Sequence, residues 1–380
     1  MATFQFRTVP HIHAGSGSAT ELSGIAAPLL AGVERVALVT DQGVRKAGLI
    51  NAPLDELKAA GLSVLVLDEV IADPPEDMVL AATARAREFG AQLVIGIGGG
   101  SSLDTAKLVA LLLGSDQPLS EMYGVNKVRG QRLPLILIPT TAGTGSEVTP
   151  ISVVTVGETT KMGVNDPTLY ADLAVLDAAL TIGLPRHVTA ATGIDAMVHA
   201  IEAYTSAIEK NPVSDALALA GLKKLHGSIE RACLDGSDMS AREDMLLGAL
   251  LAGQAFANAP VGAVHALAYP LGGIFHGPHG LSHSLQLPPL VGLHAPAAEA
   301  LYTQLAAHLD LAGASTEALV DEMERIAEVV GIETRLSQVG VSHNDLPKMA
   351  EDAMKVERLL KNNPRPMTLE AAHACYESVL

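Results

Sequence analysis

Cysteine is nearly absent from this chain: Cys233 and Cys375 are the two it carries, and no CxxC pair occurs. That removes a disulfide framework and a thiolate metal site from consideration, and it fits a reducing cytoplasm. Long apolar runs are also missing. Stretches such as Leu108–Leu113 are too short to span a bilayer. The opening MATFQFRTVP has no basic segment followed by an apolar one, so no signal peptide is expected there. Basic charge is scarce too. Lysine and arginine number 25 against 42 aspartate and glutamate, a formal net charge of −17. This leaves no basic footprint for nucleic acid or an anionic membrane. A local pocket can differ from the net field, so small anionic substrates stay open. Internal repeats and low-complexity linkers are lacking as well.

What remains is a globular composition. The 380 residues are 48% hydrophobic and 18% charged, enough for two domains with substantial cores. The first half alternates strand and helix patterns. Val36–Thr40, Ser63–Leu67, Leu93–Ile97, Leu135–Pro139 and Ala174–Asp177 read as strands, and His11–Gly17 as an N-terminal strand followed by a turn. A helical pattern runs from Asp41 through Ala60, and Asp73-Pro74-Pro75 reads as the N-cap of a helix reaching Phe89. Unbroken Val/Ile/Leu runs between helices indicate a buried parallel sheet. After Leu184-Pro185 the strand signal stops and helical spacing takes over. The expected architecture is an α/β Rossmann-like domain over 1–184 and an all-α domain over 185–380.

Two glycine- and hydroxyl-rich loops follow strands in the first half. Gly98–Lys107, GGGSSLDTAK, opens a helix. Its glycines let the backbone approach a pyrophosphate, the helix N-terminus offers N–H groups, and Ser101 and Ser102 add hydroxyl donors. It is neither GxGxxG nor a Walker loop, and taken alone it reads equally as a tight strand-to-helix turn. Pro139–Glu147, PTTAGTGSE, is the second loop. Two such loops at the carboxyl ends of parallel strands mark a ligand crevice. Asp41, at another strand end, is placed to accept bonds from a ribose and to repel a 2′-phosphate, which favours NAD over NADP; its other reading is a helix N-cap.

In the second half, GIDAMVHAIEAY places Asp195 and His199 at i and i+4, on one helix face with Cβ atoms roughly 5–6 Å apart. HALAYPLGGIFHGPHG supplies His265 and His279. One carboxylate and three imidazoles form a set suited to a first-row divalent metal. Burying His199 and His265 among small and apolar residues would be costly without partners. Glu202 reads as a partner of a ligand or as a helix-face charge. His276 either lines a substrate pocket or is a neutral neighbour, and Phe256 either shapes that pocket or packs in the core.

These segments, with HAGSGSATEL near the start, resemble the iron-containing alcohol dehydrogenase family, in order and over nearly the whole chain. The resemblance implies a site in the cleft between a Rossmann-like and a helical domain. It implies Asp195, His199, His265 and His279 as metal ligands, with Fe(II) favoured and Zn(II) the alternative. It also implies Gly99, Gly100 and Ser101 as pyrophosphate contacts, Thr140 and Thr141 as further cofactor contacts, Lys161 near the cofactor and Asp41 as the ribose-binding acid. Two positions depart from the family pattern. Tyr269 stands where many members carry a histidine associated with proton handling or nicotinamide contact. His283 stands where an asparagine is common.

The implied activity is reversible hydride transfer between NAD(H) and a small alcohol or its aldehyde or ketone. Two rivals share the architecture: a reductase of an anionic carbonyl such as maleylacetate, and a dehydroquinate synthase-like lyase. No Lys/Arg cluster is visible near the metal motifs, which weighs against the lyase. Tyr269 and His276 are the candidate catalytic side chains beyond the ligands. The N-terminal strand suggests a homo-oligomer, a dimer through edge-strand pairing.

Overall fold

The computed structural model describes residues 3–157, 160–275 and 279–380, with His279 described for its backbone alone. The contacts divide the chain into two compact units. One comprises Thr8–Thr141 and Gly145–Gly183; the other comprises Met1–Arg7, Ala142–Thr144 and Leu184–Leu380.

The first unit is built on a six-stranded parallel sheet. Its strands are β1 (His11–Ala14), β2 (Arg35–Asp41), β3 (Ser63–Val70), β4 (Leu93–Gly98), β6 (Leu135–Pro139) and β9 (Leu173–Leu176), in the order β1-β9-β6-β4-β2-β3. β4 and β6 are buried at every residue, as a sheet covered on both faces requires. Val36, Leu38, Ile95, Ile97, Ile136 and Ile138 form the centre of its core. Burying each such side chain is worth about 1.5–3 kcal/mol. The strand order reverses between β2 and β4, so the ends of these two strands, Asp41 and Gly98, flank the switch point where open sheets bind ligands. β1 is an edge strand, exposed at all four residues.

Three local expectations change. The helical pattern after Asp41 is two helices, Gln42–Lys46 and Asn51–Ala59, interrupted at Gly48, whose φ is 74°. Asp73 is not a helix cap: it sits at φ 54°, pairs with Lys161 at 2.6 Å, and the helix Glu76–Phe89 starts from Pro75. A second, three-stranded sheet of β5 (Gly124–Val125), β8 (Thr160–Asn165) and β7 (Ile151–Val156) was not visible in the sequence. These strands mix Thr, Lys, Gly and Ser with their aliphatics, so neither strict alternation nor a continuous apolar run marks them.

The second unit is helical. Its centre is the helix Arg186–Thr205, buried continuously from Gly193 to Thr205 and packed by the helices Pro212–Leu234, Met239–Phe256 and His279–His308. A helix enclosed on all sides is apolar all round; the stretch from Gly193 to Thr205 is mostly Ala, Ile, Met and Val, and its acidic and imidazole exceptions Asp195, His199 and Glu202 need partners. Among the described residues no helix is long and apolar enough to cross a membrane. Both cysteines are free and buried.

Candidate metal centre and nucleotide loops

Asp195, His199 and Glu202 fall at i, i+4 and i+7 of one helix, so one face presents all three. His265 comes from the first turn of the helix Ala263–Phe275. One ligand atom from each of Asp195, His199 and His265 lies within 4.8 Å of the other two, and all three residues are buried. The start of the second helix is pinned from two sides. The Ala263 N–H donates to Asn363 Oδ1 at 2.8 Å, and the Val264 N–H donates to Glu202 Oε1 at 2.8 Å. Glu202 Oε2 lies 2.5 Å from His265 Nδ1. An Nδ1–H donated to this carboxylate leaves Nε2 as the lone-pair nitrogen of His265, the arrangement that orients an imidazole toward a metal.

Burial favours the neutral form of the His283 imidazole. Burial, together with His265, holds the His283 ring well below its usual range, against the opposing pull of Glu202. Burial raises the Glu202 carboxyl, opposed by the Gly262 and Val264 N–H groups. His283 Nδ1 sits 2.5 Å from Asp195 Oδ1, and its ring centroid is 4.0 Å from that of His265. Phe256 stacks on His199 at 4.3 Å between centroids, so it borders this centre directly. Buried imidazole nitrogens converging with a carboxylate oxygen fit a first-row divalent ion by donor type.

His276 and the side chain of His279 lie outside the described residues. The backbone around His279 is nonetheless constrained. A Cβ added at Gly280 would stand 1.8 Å from the Ala191 carbonyl oxygen, so only glycine lets the start of His279–His308 approach the central helix this closely. Tyr269 lies one turn beyond His265, half-buried, and its hydroxyl accepts a hydrogen bond from Arg358 Nη2 at 2.7 Å.

In the α/β unit the two loops meet. The Thr140 N–H donates to the Gly98 carbonyl at 3.0 Å, and a Cβ at Gly99 would lie 3.6 Å from Thr141 Oγ1. A Cβ at Gly98 would come within 2.6 Å of Ser102, so the turn requires glycine. Gly99 occupies the N-cap of the helix Gly100–Gly114 without a side-chain cap, leaving the first-turn N–H groups to an anion. Ser101 is half-buried beside them. Ser102 is buried and donates to Asp41 Oδ2 at 3.1 Å, while Asp41 Oδ1 caps the helix Gln42–Lys46 through the Val44 N–H at 2.9 Å. Asp41 therefore performs its structural role as a cap and also bridges the two strand ends. Lys161 lies on β8, bonded to Thr155 Oγ1 at 3.1 Å as well as to Asp73.

Beneath the loops sits a buried ammonium that sequence reading passed over. Lys107 donates to Ser146 Oγ at 2.8 Å, Thr149 Oγ1 at 3.3 Å and the Ile151 carbonyl at 2.7 Å, with Asp104 Oδ1 at 3.6 Å. It ties the far ends of the two motifs together. Glu147 beside it is buried, and burial pushes its carboxyl up to about 7.

Comparison with known proteins agrees with this architecture. The model of the iron-containing alcohol dehydrogenases matches residues 10–178, and that of the C-terminal part of the Fe-containing alcohol dehydrogenase family matches residues 189–380. The chain belongs to the iron-containing alcohol dehydrogenase family. Long-chain-alcohol dehydrogenase 1 of Geobacillus thermodenitrificans is 40% identical over 378 residues, 97% of this chain and 95% of that protein. The crystal structure of a 1,3-propanediol oxidoreductase superposes with a TM-score of 0.95 at 31% identity, over all of both chains. That of a sulfoacetaldehyde reductase from Bifidobacterium kashiwanohense in complex with NAD+ gives 0.91 at 25% identity, over 100% of this chain and 99% of that one. These iron-containing alcohol dehydrogenase relatives share the parallel-sheet unit and the helical unit described above.

Proposed function

We propose that this member of the family transfers hydride between NAD(H) and a small alcohol or its aldehyde or ketone. The balanced reaction is RCH2OH + NAD+ to RCHO + NADH + H+. The observation that carries the reading is the buried convergence of Asp195, His199 and His265 within 4.8 Å. We assign NAD binding to residues 1–184, and metal binding and catalysis to residues 185–380. His279 completes a ligand set for Fe(II), with Zn(II) as the alternative. A metal held there would supply Lewis acidity toward an alcohol or carbonyl oxygen, and NAD would supply the hydride acceptor.

The chain's own groups do the positioning. Glu202 holds His265 by side chain and neighbouring backbone. Gly99, Gly100 and Ser101 present N–H groups to the pyrophosphate, and Thr140 and Thr141 form the facing wall. Asp41 faces the ribose, with Ser102 fixing its carboxylate and Lys161 on the neighbouring sheet. Tyr269 and His276 are assigned to the substrate side of the site. The exposed edge strand β1 supports a homodimer formed by strand pairing, and two free buried cysteines support a reducing cytoplasm.

The test is reconstitution with Fe(II) or Zn(II) under anaerobic conditions, followed by NAD reduction across C2–C6 alcohols and diols. NADH formation that EDTA abolishes is the expected result, and it also excludes a lyase in which NAD is regenerated within each cycle. Undiminished NADH formation by metal-free protein would overturn the reading. A reductase of an anionic carbonyl is the second reading, favoured by the likeness to a sulfoacetaldehyde reductase.

A further inference from the structure

The sequence shows no Lys/Arg cluster near the metal motifs, yet the fold brings one arginine onto the helix that carries His265, at Tyr269. Tyr269 follows His265 by four residues on the helix Ala263–Phe275, so the two side chains leave one face about 6 Å apart along the axis. Arg358, 89 residues further on, donates from Nη2 to the Tyr269 hydroxyl at 2.7 Å. Its guanidinium carbon stands 5.8 Å from the Tyr269 ring centroid.

The placement of Arg358 is built into the backbone. Asn362 Nδ2 donates to the Val261 carbonyl at 2.7 Å and to the Arg358 carbonyl at 3.2 Å. Asn363 Oδ1 accepts the Ala263 N–H at 2.8 Å, an approach that a Cβ on Gly262 would block at 2.3 Å. The segment carrying Arg358 is thereby registered to the turn that carries His265. Arg358 itself is exposed, and among the described residues no carboxylate pairs with it, although Glu357 is its neighbour in sequence. In a chain of net charge −17, residues 355–365 (KVERLLKNNPR) hold four cations and one carboxylate.

An arginine held by one N–H keeps the rest of its planar fork for an oxyanion, and the tyrosine that holds it stands one helical turn from His265. We propose that Arg358, oriented by Tyr269, binds the anionic end of the substrate. The substrate class is then a short-chain aldehyde, or its alcohol, carrying a carboxylate or sulfonate at the far end. This inference rests on the dehydrogenase reading above.

The test compares NADH-dependent reduction of 4-oxobutanoate with that of butanal, a neutral aldehyde of the same length, by the metal-loaded enzyme. The wild type is expected to prefer 4-oxobutanoate. Arg358→Met is expected to lower the ratio of kcat/KM values, 4-oxobutanoate over butanal, by about 10–100-fold, acting through KM. Arg358→Lys is expected to recover part of that ratio. Loss of both activities in parallel, or an unchanged ratio, would overturn the anion subsite while leaving the dehydrogenase reading intact. A wild type that reduces neither aldehyde, or does not prefer 4-oxobutanoate, would likewise overturn the anion subsite, and the dehydrogenase reading stands or falls separately on the C2–C6 panel.

Discussion

Glu202 and His265, 63 residues apart in sequence, meet at 2.5 Å inside the helical unit, while the other Glu202 oxygen takes the Val264 N–H at 2.8 Å. One carboxylate thus fixes both the ring of His265, the third proposed ligand, and the backbone of its neighbour Val264. Glu202→Ala is expected to weaken metal affinity by about 10–100-fold. Competition titration against a chelator measures this, and an affinity equal to that of the wild type would show that Glu202 only fills space.

His283 acts on the carboxylate of Asp195, a proposed ligand, with Nδ1 2.5 Å from Asp195 Oδ1. An asparagine can supply a donor from the same place, whereas leucine cannot. His283→Leu is therefore expected to lose about tenfold or more in metal affinity, with His283→Asn close to the wild type. The Co(II)-substituted proteins offer a second readout. A change in visible absorption from five- to four-coordinate character in His283→Asn would show that His283 is itself a ligand, contrary to this expectation.

Gly280 has no room for a side chain, since a Cβ there would meet the Ala191 carbonyl at 1.8 Å. Gly280→Ala is expected to cost about 3 kcal/mol or more, because two helix backbones must separate. Gly292 lies on the same helix, is exposed and has nothing within 4 Å of its Cβ position. Gly292→Ala is expected to stabilise by about 1 kcal/mol. Denaturant unfolding of the two variants side by side decides the matter, and equal effects would contradict the close approach.

Burial lifts the Glu147 carboxyl from 4.5 to about 7, opposed by its own backbone N–H and by the Lys107 ammonium. Between these values the folded protein keeps a proton that the unfolded chain has released, so this group's contribution to stability falls as pH rises from about 4.5 to about 7 and is level above. The stability of Glu147→Gln relative to the wild type is expected to rise across that window, by at most about 1.4 kcal/mol per pH unit. Denaturation curves at pH 5, 6, 7 and 8 give the difference directly. A difference that does not vary with pH would mean that Glu147 titrates normally in the fold.

Legibility in the sequence followed the range of the interaction. The interior runs of β2, β4, β6 and β9 could be read because a doubly covered strand is apolar along most of its length, a local requirement, and the edge strand β3 was legible from its Val64–Leu67 run. Asp195 and His199 could be paired because four residues of helix bring side chains onto one face. Glu202 carried the same signal, three residues beyond His199, but its partner could not be named. β7 and β8 escaped because their composition is shared with loops, and Asp73 misled because a proline-flanked aspartate usually signals a cap.

The sequence by itself therefore determined the family, the parallel-sheet and helical halves, the nucleotide loops and the candidate ligands, all of which are written in short contiguous patterns. Only the tertiary structure decided which groups serve them: Glu202 on His265, His283 on Asp195, Lys107 under both loops, Arg358 on Tyr269. These pairings span 39 to 89 residues. No local propensity encodes such distances. They are set by which buried polar atoms find one another when the helices and strands pack, and by the glycines that let backbones come close enough for it.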